Sequence, residues 1–129
     1  MVQLNEVWLV DYARTAFSRS RPGAPERDVF GGLRGDELAG HLMRDFFSTK
    51  LADKNIKPED LDQVIVASAL QVFENWAYGG KITSFLGNIP VNISSYAVEK
   101  QCGSAGQAMC NGIMEIMTGY SKTVLCTGF

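Results

Sequence analysis

Cys102 lies in the run Val98-Glu99-Lys100-Gln101-Cys102-Gly103-Ser104-Ala105-Gly106-Gln107-Ala108, between a segment of strand-forming residues and one with helical apolar spacing. A thiol in the turn between a parallel strand and a helix amino terminus is placed as a nucleophile. The unpaired N–H groups of the first helical turn and the helix dipole favour thiolate over thiol. Open α/β sheets also present their ligands at the carboxyl ends of parallel strands. Gly103 carries no side chain, so a bulky thioester carbonyl can come close to the sulfur. The chemistry this allows is acyl transfer onto Cys102.

The remaining candidates are weaker. Cys110 is predicted two turns into a buried helix and Cys126 within a strand, where cysteine is a small packing residue. Three cysteines without a Cys-x-x-Cys pair, with one over from any disulfide, point to neither a zinc site nor an oxidised framework. Gly103-Ser104-Ala105-Gly106 lacks the spacing of a dinucleotide loop, and Gly31-Gly32-Leu33-Arg34-Gly35 lacks the Lys-Ser/Thr of a phosphate loop. His41, the only histidine, stands four residues before Asp45 on the flank of a predicted amphipathic helix and reads as a solvated or core-edge residue. A cysteine nucleophile needs a base or electrophilic partner within hydrogen-bond reach. His41 is remote from Cys102 in sequence, so that partner is expected from outside this chain.

The elements that must position Cys102 alternate between strands and helices. At 129 residues, 46% hydrophobic and 20% charged, the chain can bury a core and is not a disordered tail. Val7-Trp8-Leu9-Val10-Asp11-Tyr12 reads as a buried first strand, and a Gly/Pro-containing loop follows over 18–35. Asp36 and Glu37 open a helix running to about Ala52, with Leu38, Ala39, Leu42, Met43, Phe46 and Phe47 as its apolar stripe. Gln63–Ser68 is a second buried strand. Asn75 caps a third element in which Tyr78, Ile82, Phe85 and Leu86 share a face, ending at Gly87. Val91–Ala97 and Thr123–Thr127 are further strands, and Ser104–Thr118 is a helix stopped by Gly119. This helix carries apolar residues nearly all round and small residues in its first turns, so it is expected at the centre of a larger assembly. The fold class is α/β with parallel strands and right-handed crossovers.

Net charge is −2, and Arg14, Arg19, Arg21, Arg27 and Arg34 lack interleaved aromatic platforms, which argues against nucleic acid. No apolar run is long enough for a bilayer and no signal segment opens the chain, so the expected location is cytoplasmic, with no membrane partner.

Arg14-Thr15-Ala16-Phe17 and Cys102-Gly103-Ser104-Ala105-Gly106-Gln107-Ala108 together resemble the thiolases. The resemblance covers the whole chain to Val124-Leu125-Cys126-Thr127-Gly128-Phe129, where thiolases usually continue Gly-x-Glu-x-Met. Glu99-Lys100 replaces the usual Asn-Arg, Ser104-Ala105-Gly106 the usual Ser-Gly-Leu/Met, and Lys81 stands near the place of a usual arginine. The resemblance implies that Cys102 takes an acyl group from acyl-CoA, with coenzyme A as substrate and no permanently bound cofactor. A second cysteine then serves as base for Claisen condensation or its reverse. It also implies that the Cys102 backbone N–H forms half of an oxyanion hole.

The family's Gly-His-Pro, Asn-Glu-Ala-Phe and Cys-x-Gly segments are not in this sequence, which ends at Phe129 after an apolar strand. The expectation is therefore an incomplete thiolase amino-terminal domain over 1–129, the βαβαβαβ part of a five-layer αβαβα fold completed by another chain. That complementary chain would carry the histidine and second cysteine, in a hetero-oligomer built on a thiolase-like dimer or tetramer. The alternatives are half of a ketoacyl synthase or hydroxymethylglutaryl-CoA synthase, and a non-catalytic scaffold subunit.

Overall fold

The computed structural model of the protein describes residues 3–73 and 75–129. Its elements are α1 (Gly35–Ser48), β1 (Gln63–Ala67), α2 (Asn75–Leu86), β2 (Ser94–Val98), α3 (Ser104–Thr118) and β3 (Val124–Gly128). Three short 3-10 turns, Pro25–Arg27, Ala52–Lys54 and Pro58–Asp60, punctuate the connections.

The strands form one parallel sheet in the order β2-β1-β3, with Ile65 opposite Tyr96 on one side and Cys126 on the other. Chain direction then fixes the layers. The step from β1 to β2 goes one way and the step from β2 to β3 goes back past β1, so two right-handed crossovers must put their helices on opposite faces. Val64 and Val66 accordingly join Met43, Phe46 and Phe47 of α1 together with Leu51, Leu61, Ile89 and Ile93. On the other face, Ile65 and Ala67 meet Ala108 of α3. All five residues of β1 are buried, as expected for a central strand covered on both faces.

Local chemistry sets the helix ends. The Glu37 carboxylate accepts the Arg34 N–H at 2.9 Å, and the fully buried Asp36 carboxylate accepts the Glu37 N–H at 2.9 Å and pairs with the Arg34 guanidinium at 3.0 Å. These acids suit the positive end of α1. The helix stops at Ser48, four residues short of the predicted Ala52, where Thr49 turns out of helical geometry and its Oγ1 donates to the Asp45 carbonyl. Gly119 closes α3 at φ 77°, in the left-handed region that glycine enters without penalty.

Three predictions need correction. Val7–Tyr12 is not a strand: the segment pairs with neither open edge of the sheet, the outer side of β2 or that of β3. Trp8 (78% exposed), Leu9 and Tyr12 face solvent, and the segment skirts an apolar cavity of about 670 Å³ bounded also by α1, α3 and β3. The face of α2 is also different. Tyr78 and Phe85 point outward, and Gly79, Gly80, Thr83 and Ser84 are buried against the sheet and α1. A Cβ on Gly80 would come within 2.5 Å of the Tyr96 carbonyl carbon, so only glycine lets α2 lie this close to β2. Finally, α3 is not buried all round. Ser104, Ala108 and Gly112 are buried, whereas Met109, Cys110, Ile113 and Met114 are exposed.

Among the described residues, no helix is long and apolar enough to cross a membrane, and no group of three or more His, Cys, Asp or Glu is placed to hold a metal ion.

Candidate active site

The carboxyl edge of a parallel sheet collects the amino termini of the helices that follow its strands. Here it brings together Ser68 after β1, the Lys100–Gly103 turn after β2, and the start of α3. Cys102 is exposed in that turn, two residues before α3, where the sequence places it.

The turn is closed by several hydrogen bonds. The Gly103 N–H donates to the Lys100 carbonyl at 3.0 Å, and the Ser104 N–H to the Gln101 carbonyl at 3.1 Å. Gln101, immediately before Cys102, has φ 50°, a left-handed conformation that a non-glycine residue adopts at a cost. Ser104 is buried, and its Oγ accepts the Lys100 N–H at 2.8 Å and lies 2.7 Å from the Gln101 carbonyl. The Gln107 N–H donates to the Gly103 carbonyl at 2.9 Å, which starts the helical ladder.

A line of polar side chains runs from this turn along the β2-facing side of α3. Lys100 Nζ donates to Gln107 Oε1 at 2.7 Å, and Gln107 Nε2 to Asn111 Oδ1 at 2.8 Å. Asn111 Nδ2 donates to Tyr96 Oη at 3.3 Å, and Tyr96 Oη to Glu115 at 3.1 Å. Ser121 Oγ donates to the other Glu115 oxygen at 2.9 Å. The helical spacing of residues 107, 111 and 115 stacks them on one side.

The other cysteines differ from Cys102 and from each other. Cys126 is half-buried and its thiol points at the Ala108 carbonyl, 3.3 Å away. Burial pushes this thiol up to about 11, and the Glu115 carboxylate adds in the same direction. A Cβ on Gly112 would lie 3.0 Å from Cys126 Sγ, so this cysteine fills the seam between α3 and β3, as predicted. Cys110, predicted as a buried packing residue, is exposed instead, because it lies on the uncovered side of α3.

His41 is exposed on α1, with Nδ1 2.8 Å from Arg44 Nη2. It lies in the layer on the opposite face of the sheet from α3, so the chain's one histidine is not brought to Cys102. Lys81 donates to the Val91 carbonyl at 2.9 Å and to the Ile93 carbonyl at 2.7 Å, tying α2 to the approach of β2. Arg14 contacts its own neighbours: its guanidinium lies 4.4 Å from the centre of the Phe17 ring, and Nη1 donates to the Thr15 carbonyl at 2.9 Å. Sequence reasoning missed Ser104, whose legible signal was a hydroxyl residue in a first helical turn, where such side chains bond to nearby backbone.

An exposed cysteine between a parallel strand and a helix start, within a β-α-β-α-β unit, narrows the choice of families, and comparison decides it: the family model of the thiolase N-terminal domain matches residues 7–129. The chain belongs to the thiolase family. It is 31% identical to a 3-ketoacyl-CoA thiolase of Colwellia psychrerythraea over 125 residues, which are 97% of this chain and 30% of that protein. A 3-ketoacyl-CoA thiolase of Erwinia tasmaniensis is 30% identical over the same shares. This thiolase chain thus spans about 30% of the length of these relatives.

Among solved structures, the acetyl-CoA acetyltransferase of Bacillus anthracis superposes with a TM-score of 0.62 at 20% identity, over 78% of this chain and 24% of that one. Human mitochondrial 3-ketoacyl-CoA thiolase, solved in complex with CoA, superposes with a TM-score of 0.52 at 23% identity, over 67% and 20%. These likenesses support the α/β thiolase fold.

Proposed function

We propose that this chain is the acyl-accepting part of a thiolase, with Cys102 as nucleophile and acyl-CoA as acyl donor. The observation that carries this reading is the exposed Cys102 thiol at the carboxyl edge of the sheet, directly before α3. In the reaction, the Cys102 sulfur attacks the thioester carbonyl carbon, forming a new S–C bond. The S–C bond to coenzyme A breaks, and the CoA sulfur leaves with a proton. The Cys102 backbone N–H, beside the start of α3, is one donor for the tetrahedral oxyanion. Deprotonation of the second acyl-CoA falls to a second cysteine as base, and the chain's one histidine, His41, lies on the opposite face of the sheet from α3.

The remaining groups come from a complementary polypeptide carrying a histidine and a second cysteine, in a hetero-oligomer built on a thiolase-like dimer or tetramer. Two features support this. The chain spans about 30% of its relatives, and the outer side of α3 presents Met109, Ile113 and Met114 to solvent. The Arg14-Thr15-Ala16-Phe17 segment and the 3-ketoacyl-CoA thiolase relatives favour thiolase over the related synthases.

The test is transfer of a radiolabelled acetyl group from acetyl-CoA to the chain assembled with its complementary polypeptide. Label on Cys102, lost in Cys102→Ser with assembly intact, is the expected result. An unlabelled wild-type assembly would make the chain a scaffold subunit, and loss of assembly in Cys102→Ser would make Cys102 a packing residue.

A further inference from the structure

Ser104 is 4% exposed, and its hydroxyl meets three backbone groups from both sides of the site. It accepts the Lys100 N–H at 2.8 Å, and its single hydrogen is shared between the Gln101 carbonyl at 2.7 Å and the Ser68 carbonyl at 3.1 Å. We propose that Ser104 is a positioning residue for Cys102, clamping the nucleophile's turn to the central strand of the sheet; this rests on the acyl-transfer reading above.

The geometry explains what the clamp does. Cys102 follows Gln101, which is held at φ 50°, and such a conformation persists only when its surroundings over-determine it. Two donors fix the Gln101 carbonyl, the Ser104 N–H and the Ser104 hydroxyl. The same hydroxyl fixes the amide of Lys100, the residue before Gln101. Its third contact reaches Ser68, which is anchored in turn: the Ser68 N–H donates to the Val98 carbonyl at 3.1 Å and its Oγ to the Leu70 carbonyl at 3.0 Å. The turn that ends β2 is thereby referred to the end of β1, the most deeply buried strand. A sulfur carried on this turn keeps its place beside the start of α3. Without the hydroxyl, the Lys100 amide loses its acceptor and the Gln101 carbonyl keeps one donor of two, so the turn is free to leave the left-handed conformation.

Cys110 supplies the internal control, being exposed on α3, about two turns beyond the Cys102 turn. The experiment is carbamidomethylation of the 129-residue chain by iodoacetamide at pH 7, with the rate at each cysteine read by mass spectrometry. Ser104→Ala is expected to lower the Cys102 rate about tenfold relative to the Cys110 rate, a loss within the range by which local environment changes thiol reactivity. Ser104→Thr, which keeps the hydroxyl, is expected to restore the ratio to within about twofold. An unchanged Cys102 to Cys110 ratio in the alanine variant overturns the proposal, as does failure of the threonine variant to restore it. Should the alanine variant be unfolded by circular dichroism, Ser104→Val, which has the shape of the threonine variant without its hydroxyl, is compared with Ser104→Thr and should show the same roughly tenfold lower ratio, an equal ratio overturning the proposal. Absence of acetyl transfer to wild-type Cys102 would sink the acyltransferase reading while leaving this ratio measurable.

Discussion

The two faces of the sheet are built differently. On the α1/α2 face, nine buried residues from α1, β1 and the connecting segments form one cluster. On the α3 face the buried cluster is Ile65, Ala67 and Ala108, with Tyr96, Val98, Val124 and Cys126 packed at its margin, and the far side of α3 is apolar and open. The first face is packed by two helices and the connecting segments, with the apolar cavity opening beside Met43 and Phe46, and the second is a single helix laid on the sheet. The contrast teaches that stability and chemistry are separated in this chain. The closed face holds the fold together, and the open face carries Cys102 at its upper end and leaves room for something to cover it.

Truncations on the two faces should therefore differ sharply, and this is the largest effect expected. Phe46→Ala on the closed face should cost about 3–5 kcal/mol, the transfer energy of the ring plus the cavity it leaves. Ile113→Ala on the open face should stay within about 0.5 kcal/mol. Urea unfolding followed by circular dichroism measures both, and equal losses would erase the distinction between the faces.

Two glycines sharpen the comparison with smaller effects of opposite sign. Gly80→Ala drives a Cβ to 2.5 Å from the Tyr96 carbonyl carbon and 2.8 Å from the Ala97 nitrogen, backbone atoms that cannot swing away. It should destabilise the chain by about 1–3 kcal/mol, as overpacking does. Gly106→Ala, in the first turn of α3 on its open side, meets nothing within 4 Å and should stabilise by up to about 1 kcal/mol through helix propensity. Loss of stability in Gly106→Ala would mean that the open side is already covered in solution.

The same contrast governs what the sequence made legible. The bounds of α3, Ser104 to Thr118, were readable because Gly103 and Gly119 punctuate the chain and its apolar spacing is helical throughout. The Cys102 turn was readable for the same reason. The buried side of α2 was not, since it consists of Gly79, Gly80, Thr83 and Ser84, and hydropathy points instead to the outward Tyr78 and Phe85. The hydroxyls there are satisfied within the helix, Thr83 Oγ1 donating to the Gly79 carbonyl at 2.7 Å and Ser84 Oγ to the Gly80 carbonyl at 2.9 Å, so polar letters hide a packing surface. Val7–Tyr12 has the composition of a strand, but the segment stands across the apolar cavity from β3 and pairs with no edge, a placement that composition does not encode. The extent of cover on α3 is likewise a property of what packs against it, and its apolar residues read as buried whether or not that cover is present.

Thiol reactivity offers a finer test on the open face. Cys102 and Cys110 are exposed, whereas Cys126 sits in the α3/β3 seam with its thiol pushed up to about 11 by burial. A folded-state value raised above the unfolded one means that this thiol contributes stability below the unfolded value, lost as pH rises toward 11. At pH 8, iodoacetamide should modify Cys102 and Cys110 first and Cys126 only as fast as the chain opens. Early modification of Cys126 would show that the seam is loose.

The smallest effect concerns the lower end of the sheet, where β3 is tied to β1. Asp62 accepts the Lys122 N–H at 2.7 Å and the Thr123 N–H at 3.0 Å, and these two bonds hold its carboxyl below the ordinary value. A depressed carboxylate contributes stability above its unfolded value, near pH 4, and loses it as pH falls through the folded value. Asp62→Asn keeps an acceptor but has no charge to titrate, so the urea midpoint of this variant should fall less between pH 6 and pH 3 than that of the parent chain. The group is exposed and the difference will be small, but its sign is fixed. A variant as acid-sensitive as the parent would show that the Asp62 carboxylate adds nothing to the tie between β1 and β3, which the ladder and the Asp62 N–H bond to the Thr123 carbonyl at 3.0 Å then carry.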